Sequence, residues 1–183
     1  MMRIITGKAR GVRLETLAGD ATRPTAERVK EALFSMLGDR VQGARVLDLF
    51  GGSGQLALEA LSRGAEYAWL CDRAREAAEV IRRNVEKTRL TDCRVLCCDF
   101  ERALEQLAHE RFDLIFLDPP YKLGLIPDLL ARIDRMGLCA PDGMIVCEDE
   151  RAEPHTCPGF TVYRHAKYGR IYLTLLKKER EDA

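Results

Sequence analysis

Arg45-Val46-Leu47-Asp48-Leu49-Phe50-Gly51-Gly52-Ser53-Gly54 is the stretch on which the reading of this chain turns. A short apolar run ends in an acid and a glycine-rich turn, and a helix-forming segment, Gln55 to Arg63, follows it. Glycines at these positions let the backbone turn tightly and admit a ligand to the main chain without interference from Cβ atoms. The spacing is not G-x-G-x-x-G and no Gly-Lys-Ser/Thr follows, which disfavours a dinucleotide fingerprint and a nucleoside triphosphate loop. Taken alone, the glycines also fit an ordinary strand-to-helix turn.

The strand-turn-helix unit then repeats. Strand-like Tyr67 to Cys71 precedes a helix from Arg75 to Arg89, and Arg94 to Cys98 precedes one near Glu101 to His109. Phe112 to Leu117 precedes a helix from Leu125 to Met136, Met144 to Glu148 is a fifth strand, and Phe160 to Tyr163 with Ile171 to Leu176 closes the sheet as a hairpin. Such alternation predicts an α/β fold with a mostly parallel sheet of seven strands and helices on both faces. Ligands of open parallel sheets bind outside the carboxyl ends of the strands, which is where Asp48, Asp72, Asp99 and Asp118 fall.

Upstream, Arg3 to Leu14 reads as two short β-like pieces around glycines, hence a hairpin. After Arg23-Pro24, Thr25 is positioned to cap a helix that buries Val29, Leu33, Phe34 and Leu37, with Glu27 near its positive end. With 183 residues the chain fits a single domain, residues 1–183, in which 1–43 extend a core at 44–183. Lys and Arg together number 29, as do Asp and Glu, so the total charge does not announce a nucleic-acid binder. Locally the balance differs: Arg3, Lys8, Arg10 and Arg13 are basic, and no residue from 1 to 13 is acidic. A solvated strand face and a polyanion contact both fit so few charges.

The 7 cysteines, with no apolar leader before the first strand, read as reduced thiols of a cytoplasmic protein. Cys93, Cys97 and Cys98 lack the paired spacing of zinc ligands, and the histidines are scattered, so no metal is expected. No apolar run approaches the length of a membrane span.

Asp72 ends the second strand about 20 residues after the glycine turn, where an acid accepts hydrogen bonds from a ribose diol. A surface acid paired with Arg73 or Arg75 is the plainer alternative. Asp99-Phe100 can offer an adenine a polar contact and an apolar face, and Asp99 can equally cap the next helix. Asp118-Pro119-Pro120-Tyr121 is more specific. An exocyclic amine on a base is a poor nucleophile, because its lone pair is delocalised into the ring. The Asp118 carboxylate and the Pro119 carbonyl, accepting the amine's hydrogens, would favour pyramidal nitrogen and aim the lone pair at an electrophile. The prolines stiffen the turn and remove backbone donors, and Tyr121 can stack on a base taken out of its helix.

Together these residues resemble the class I S-adenosylmethionine-dependent methyltransferases that act on amino groups, with their Rossmann-like core. Arg23-Pro-Thr-Ala-Glu-Arg-Val-Lys-Glu-Ala-Leu-Phe34, Leu47 to Gly54, Leu58 to Ala65 and Leu117 to Tyr121 further resemble the RsmD family, which modifies guanine N2 in small-subunit (16S) ribosomal RNA. The resemblance implies S-adenosylmethionine as cofactor, with Asp48, Phe50, Gly51, Gly52, Ser53 and Gly54 shaping its pocket. Asp72 beside Arg73 would hold the ribose, and Asp99 with Phe100 the adenine. Asp118, Pro119, Pro120 and Tyr121 would bind and orient the guanine. Arg3, Lys8, Arg10, Arg13 and Arg23 would meet the small-subunit RNA, with a 30S particle or assembly intermediate as the expected partner and naked RNA left open as substrate. Gly52 stands where the family usually has alanine, and Asp72 where it usually has glutamate. An adenine-N6 DNA methyltransferase, a nicotinamide-dependent oxidoreductase and a noncatalytic ribosome-assembly factor remain the alternatives. The first lacks length for a target-recognition region, and the second leaves Asp-Pro-Pro-Tyr without a use.

Overall fold

Strands that are apolar along their length need cover on both faces, and the chain supplies it. The computed structural model describes residues 2–18 and 24–180. Arg45–Asp48 (β1), Tyr67–Asp72 (β2), Cys93–Cys97 (β3), Phe112–Leu117 (β4) and Cys139–Asp149 (β5) pair in parallel. Ile171–Lys178 (β7) runs antiparallel to both β5 and Phe160–Tyr168 (β6), giving a seven-stranded sheet in the order β3-β2-β1-β4-β5-β7-β6.

The helices are Pro24–Leu37 (α1), Gln55–Ser62 (α2), Arg75–Thr88 (α3), Phe100–Gln106 (α4) and Ile126–Met136 (α5). Successive strand side chains go to opposite layers. Val46, Leu114 and Phe116 pack with Val29, Leu33 and Phe34 of α1, Leu58 of α2 and Ile81 of α3. Leu47, Ile115 and Leu117 pack on the other side with Leu104 of α4 and Leu129 and Ile133 of α5. Burying each such side chain stabilises the fold by roughly 1.5–3 kcal/mol. Because β2 and β3 lie on one side of β1 while β4 and β5 lie on the other, the strand order reverses between β1 and β4. In sheets of this kind the ligand crevice lies at that point, at the carboxyl ends.

Several boundaries differ from expectation. Helix α1 begins at Pro24, so Thr25 lies inside its first turn rather than capping it; a proline, with no N–H to lose, suits the first helical position. Strand β5 starts at Cys139 instead of Met144, because its first residue pairs with Phe112 across an irregularity before the regular ladder resumes at Leu114–Met144. Strand β6 runs on to Tyr168 and carries a bulge between Val162 and Arg164.

The amino-terminal hairpin closes on a single antiparallel bridge, Arg3–Arg13, flanked by Ile4 N to Val12 O at 2.9 Å and Leu14 N to Met2 O at 2.9 Å. It is held by side chains more than by a ladder. The Glu59 carboxylate of α2, fully buried, accepts from Ile5 N at 2.9 Å and Thr6 N at 3.1 Å. Ser62 Oγ donates to Thr6 O at 2.7 Å and accepts from Ala9 N at 3.0 Å. Buried Lys30 of α1 donates to Arg3 O at 2.6 Å and pairs with Glu59 at 3.4 Å. Gly7, at φ +93°, brings the hairpin so close to α2 that a Cβ there would sit 1.8 Å from Ser62 O.

Candidate active site

Acids from adjacent strands meet at the crevice. Asp48 ends β1 and is buried beneath the glycine turn, where it accepts from Phe50 N at 3.3 Å. Burial pushes its carboxyl from the ordinary 3.8 up to about 7, and the nearby charges of Asp72 and Glu148 act in the same direction. The turn rests on β2: Gly51 N donates to Cys71 O at 2.7 Å and Gly52 N to Asp72 Oδ2 at 3.0 Å. Gly51 is closely packed, since a Cβ there would lie 2.9 Å from Ile81 Cδ1 and 3.3 Å from Cys71 O. Gly52, at φ +58°, faces open space instead.

Asp72 also accepts from Ala74 N at 2.9 Å through its other oxygen. Two backbone donors thus fix the carboxylate while lone pairs remain for hydroxyls of a ligand. Arg73, next in the chain, is exposed, and both oxygens of Asp72 are engaged by backbone amides. The Phe50 and Phe100 rings stand 5.9 Å apart at 44°, an apolar wall for a planar ring. Asp99 caps α4 by accepting from Arg102 N at 2.8 Å, so the capping alternative is realised. Asn84 of α3, fully buried, ties the turn to the amino-terminal segment: it donates to Ser53 O at 2.8 Å and to Glu15 O at 2.9 Å, and accepts from Glu15 N at 2.8 Å. The sequence reading missed it, because a helical asparagine has no distinguishing pattern.

Past the Leu117–Cys147 pairing of β4 and β5, Asp118 and Glu148 occupy the next positions on neighbouring strands. Pro119 is buried and Pro120 exposed. Leu123 N donates to Pro120 O at 3.1 Å, closing a 3-10 turn over Tyr121–Leu123 that the sequence did not suggest. The Tyr121 hydroxyl donates to Glu148 Oε1 at 3.1 Å. Burial, then the charges of Asp118 and Glu148, hold that hydroxyl well above the usual tyrosine range. Glu148 is the second residue missed; the acidic run Glu148-Asp149-Glu150 at a strand end was its signal. Leu123, 61% exposed, stands two residues beyond Tyr121 as an apolar projection at the rim.

Arg3, Lys8, Arg10 and Arg13 are all exposed on the hairpin, and Arg3 pairs with Glu27 of α1 at 2.5 Å. Arg23 lies outside the described residues. Among the described residues, no cluster of three or more His, Cys, Asp and Glu side chains is arranged to hold a metal ion, and no helix is long and apolar enough to cross a membrane. The cysteines are unbridged, with the Cys71 and Cys98 sulfurs 3.9 Å apart.

Residues 2–177 match the family described as conserved hypothetical protein 95. YlbH of Bacillus subtilis is 41% identical, over 97% of this chain and 99% of its own. Ribosomal RNA small subunit methyltransferase D of Escherichia coli is 31% identical over 97% of this chain and 90% of its own. The solved structure of yhhF from Escherichia coli is similar with a TM-score of 0.88 at 31% identity, covering 98% of this chain and 99% of that one. The strand order and this likeness make the architecture that of the class I methyltransferases.

Proposed function

The chain belongs to the RsmD family, that of conserved hypothetical protein 95, and from this premise we propose that it methylates ribosomal RNA with S-adenosylmethionine, at the exocyclic N2 of a guanine in the small-subunit (16S) RNA. The observation that carries the reading is the Asp118-Pro119-Pro120-Tyr121 turn, set beside the glycine turn at the point where the strand order reverses. Full-length relatedness to a ribosomal RNA small subunit methyltransferase supports the substrate class.

The crevice suits the cofactor. Its acids, Asp48, Asp72 and Glu148, favour a ligand that carries positive charge, Gly52 leaves space above the turn, and the Asp72 carboxylate retains lone pairs for ribose hydroxyls. When bound, the cofactor supplies an electrophilic methyl group on a sulfonium. The protein's own work is orientation. Asp118 and the Pro119 carbonyl accept the two hydrogens of the guanine amine, Tyr121 supports the base, and the prolines hold both acceptors in place. Asp118 needs little intrinsic basicity, because the amine becomes acidic as the new N–C bond forms. Phe50 and Phe100 border the adenine, with Asp99 at the rim. Residues 44–183 form the catalytic core of one domain, residues 1–43 extend it toward RNA, and the enzyme works in the cytoplasm on a 30S particle or its precursor.

The test is transfer of labelled methyl to small subunits lacking the modification, with naked 16S RNA and duplex DNA alongside, followed by nucleoside analysis. Label in N2-methylguanosine is the expected result, and Asp118→Ala should abolish it while cofactor affinity stays within about twofold. Label confined to N6-methyladenine in the DNA would overturn the substrate, and cofactor binding without any transfer would favour a noncatalytic RNA-binding factor.

A further inference from the structure

The last two strands carry charge of one sign. From residue 160 to residue 178, Arg164, Lys167, Arg170, Lys177 and Lys178 are basic and no residue is acidic. Lys177 and Lys178, at the open end of this β6–β7 hairpin, are neutralised by Asp142 at 3.6 Å and Asp134 at 2.7 Å. Lys167 and Arg170, at its tip, are exposed, and among the described residues neither is paired with a carboxylate. The register shows where the tip stands. Asp149, at the carboxyl end of β5, lies opposite Tyr172, and Tyr172 lies opposite Lys167, so the turn at Gly169 and Arg170 projects from the end of the sheet that carries Asp118 and Tyr121. Gly169, at φ +62°, supplies the left-handed residue that a two-residue hairpin turn needs. Paired strand positions share a face of the sheet, and so do alternate residues along a strand. Glu148, bonded to the Tyr121 hydroxyl, is opposite Leu173; Ile171 and its partner Tyr168 are two residues further on and share that face. Tyr168 therefore rises on the layer of the Asp-Pro-Pro-Tyr turn, half-buried against the core and close in sequence to both cations.

We propose that this tip is a second RNA-binding surface: Lys167 and Arg170 receive phosphates of the nucleotides beside the target guanine, and Tyr168 receives the face of a neighbouring base. This rests on the RNA reading given above. A crevice that takes one nucleotide leaves the flanking backbone outside it, and each flanking phosphate is drawn to cations that the protein leaves unneutralised. A base taken out of its stack also leaves its neighbours with uncovered faces, which an aromatic ring can cover whatever their sequence. The tip is braced from its other side. The Tyr172 ring stacks on His165 at 5.4 Å and 10°, with Lys167 Nζ 5.6 Å from its centre. His165 in turn is bonded to Thr174 Oγ1 at 2.9 Å and donates to Ala152 O at 2.7 Å. A surface held in this way has little freedom to lose when a ligand settles on it.

The double variant K167A/R170A separates this role from a structural one, because both side chains are exposed and distant from the core. Binding of 16S RNA across a salt series should lose about 1.5–2 from the slope of log K on log salt, the share of two phosphates. In methyl transfer the KM for RNA should rise roughly tenfold, while kcat at saturating RNA and the affinity for S-adenosylhomocysteine stay within about twofold of the parent. Y168F keeps the ring and should bind RNA like the parent; Y168L keeps the apolar packing without the ring and should bind several-fold more weakly. An unchanged salt slope and KM in K167A/R170A overturns the proposal, and Y168L binding as tightly as Y168F removes the base contact from it. A KM raised on 30S particles with binding of naked 16S RNA unaltered assigns the tip to a protein of the particle and overturns the RNA surface. A parent protein that neither binds nor methylates RNA overturns the substrate reading itself.

Discussion

Asp48 sits under the glycine turn with Asp72 and Glu148 as charged neighbours, and its position makes stability depend on pH. An unfolded aspartate loses its proton near 3.8, whereas Asp48 in the fold keeps one to about 7. Between those values the native state binds more protons than the unfolded chain, so stability is full below the lower value and is lost as pH rises through the window. The loss is on the order of 4 kcal/mol. D48N keeps an oxygen for Phe50 N and has no charge to bury. It should match the parent in urea melts near pH 4 and exceed it near pH 8, any residual slope reporting Glu148. A parent and variant with parallel pH profiles would refute a buried, ionising Asp48. Bound cofactor, being cationic, should oppose the effect by favouring the ionised acid.

At the scale of elements, the hairpin's attachment to α2 is the feature with the clearest energetic signature. Glu59 receives two backbone amides from the hairpin, Arg63 of its own helix at 2.9 Å and the ammonium of Lys30. E59A leaves that ammonium buried and two amides without an acceptor, a loss of roughly 3–5 kcal/mol. Urea denaturation reads it, and a change under 1 kcal/mol would mean that water enters and solvates the site. Most helices and strands were legible because their apolar positions repeat at the right period, and β4 matches its expected bounds, Phe112–Leu117. Strand β5 was read short since its opening residues, Cys139-Ala140-Pro141-Asp142-Gly143, look like a turn; they enter the strand by pairing with a distant partner. In the site, Asp48, Asp72 and Asp118 announced themselves by standing at strand ends. Glu148 had only the acidic run at its strand end as a signal; Asn84, and Glu59 under the hairpin, had none, because each takes its meaning from a group far away in sequence, Ser53 and Ile5 respectively.

For the whole molecule, neutrality of the total hides an uneven distribution, with exposed Lys8, Arg10 and Arg13 on the hairpin and Arg3 opposite Arg13 across its bridge. Like charges facing one another across strands are destabilising, and a phosphate between them would reverse the sign. Replacing Arg10 and Arg13 with alanine should weaken RNA binding about equally for all sequences and reduce the dependence of log K on log salt by up to about 2. Filter binding across a salt series measures it, and an unchanged slope would place the RNA elsewhere. The far end of the sheet has a different consequence. Strand β6 has one neighbour, β7, and a strand so placed can recruit a second chain and begin aggregation. The bulge between Val162 and Arg164, with Thr161, Arg164 and Lys167 exposed, interrupts the regular ladder that such recruitment needs, so the edge that closes the fold is also shaped against adding a further strand.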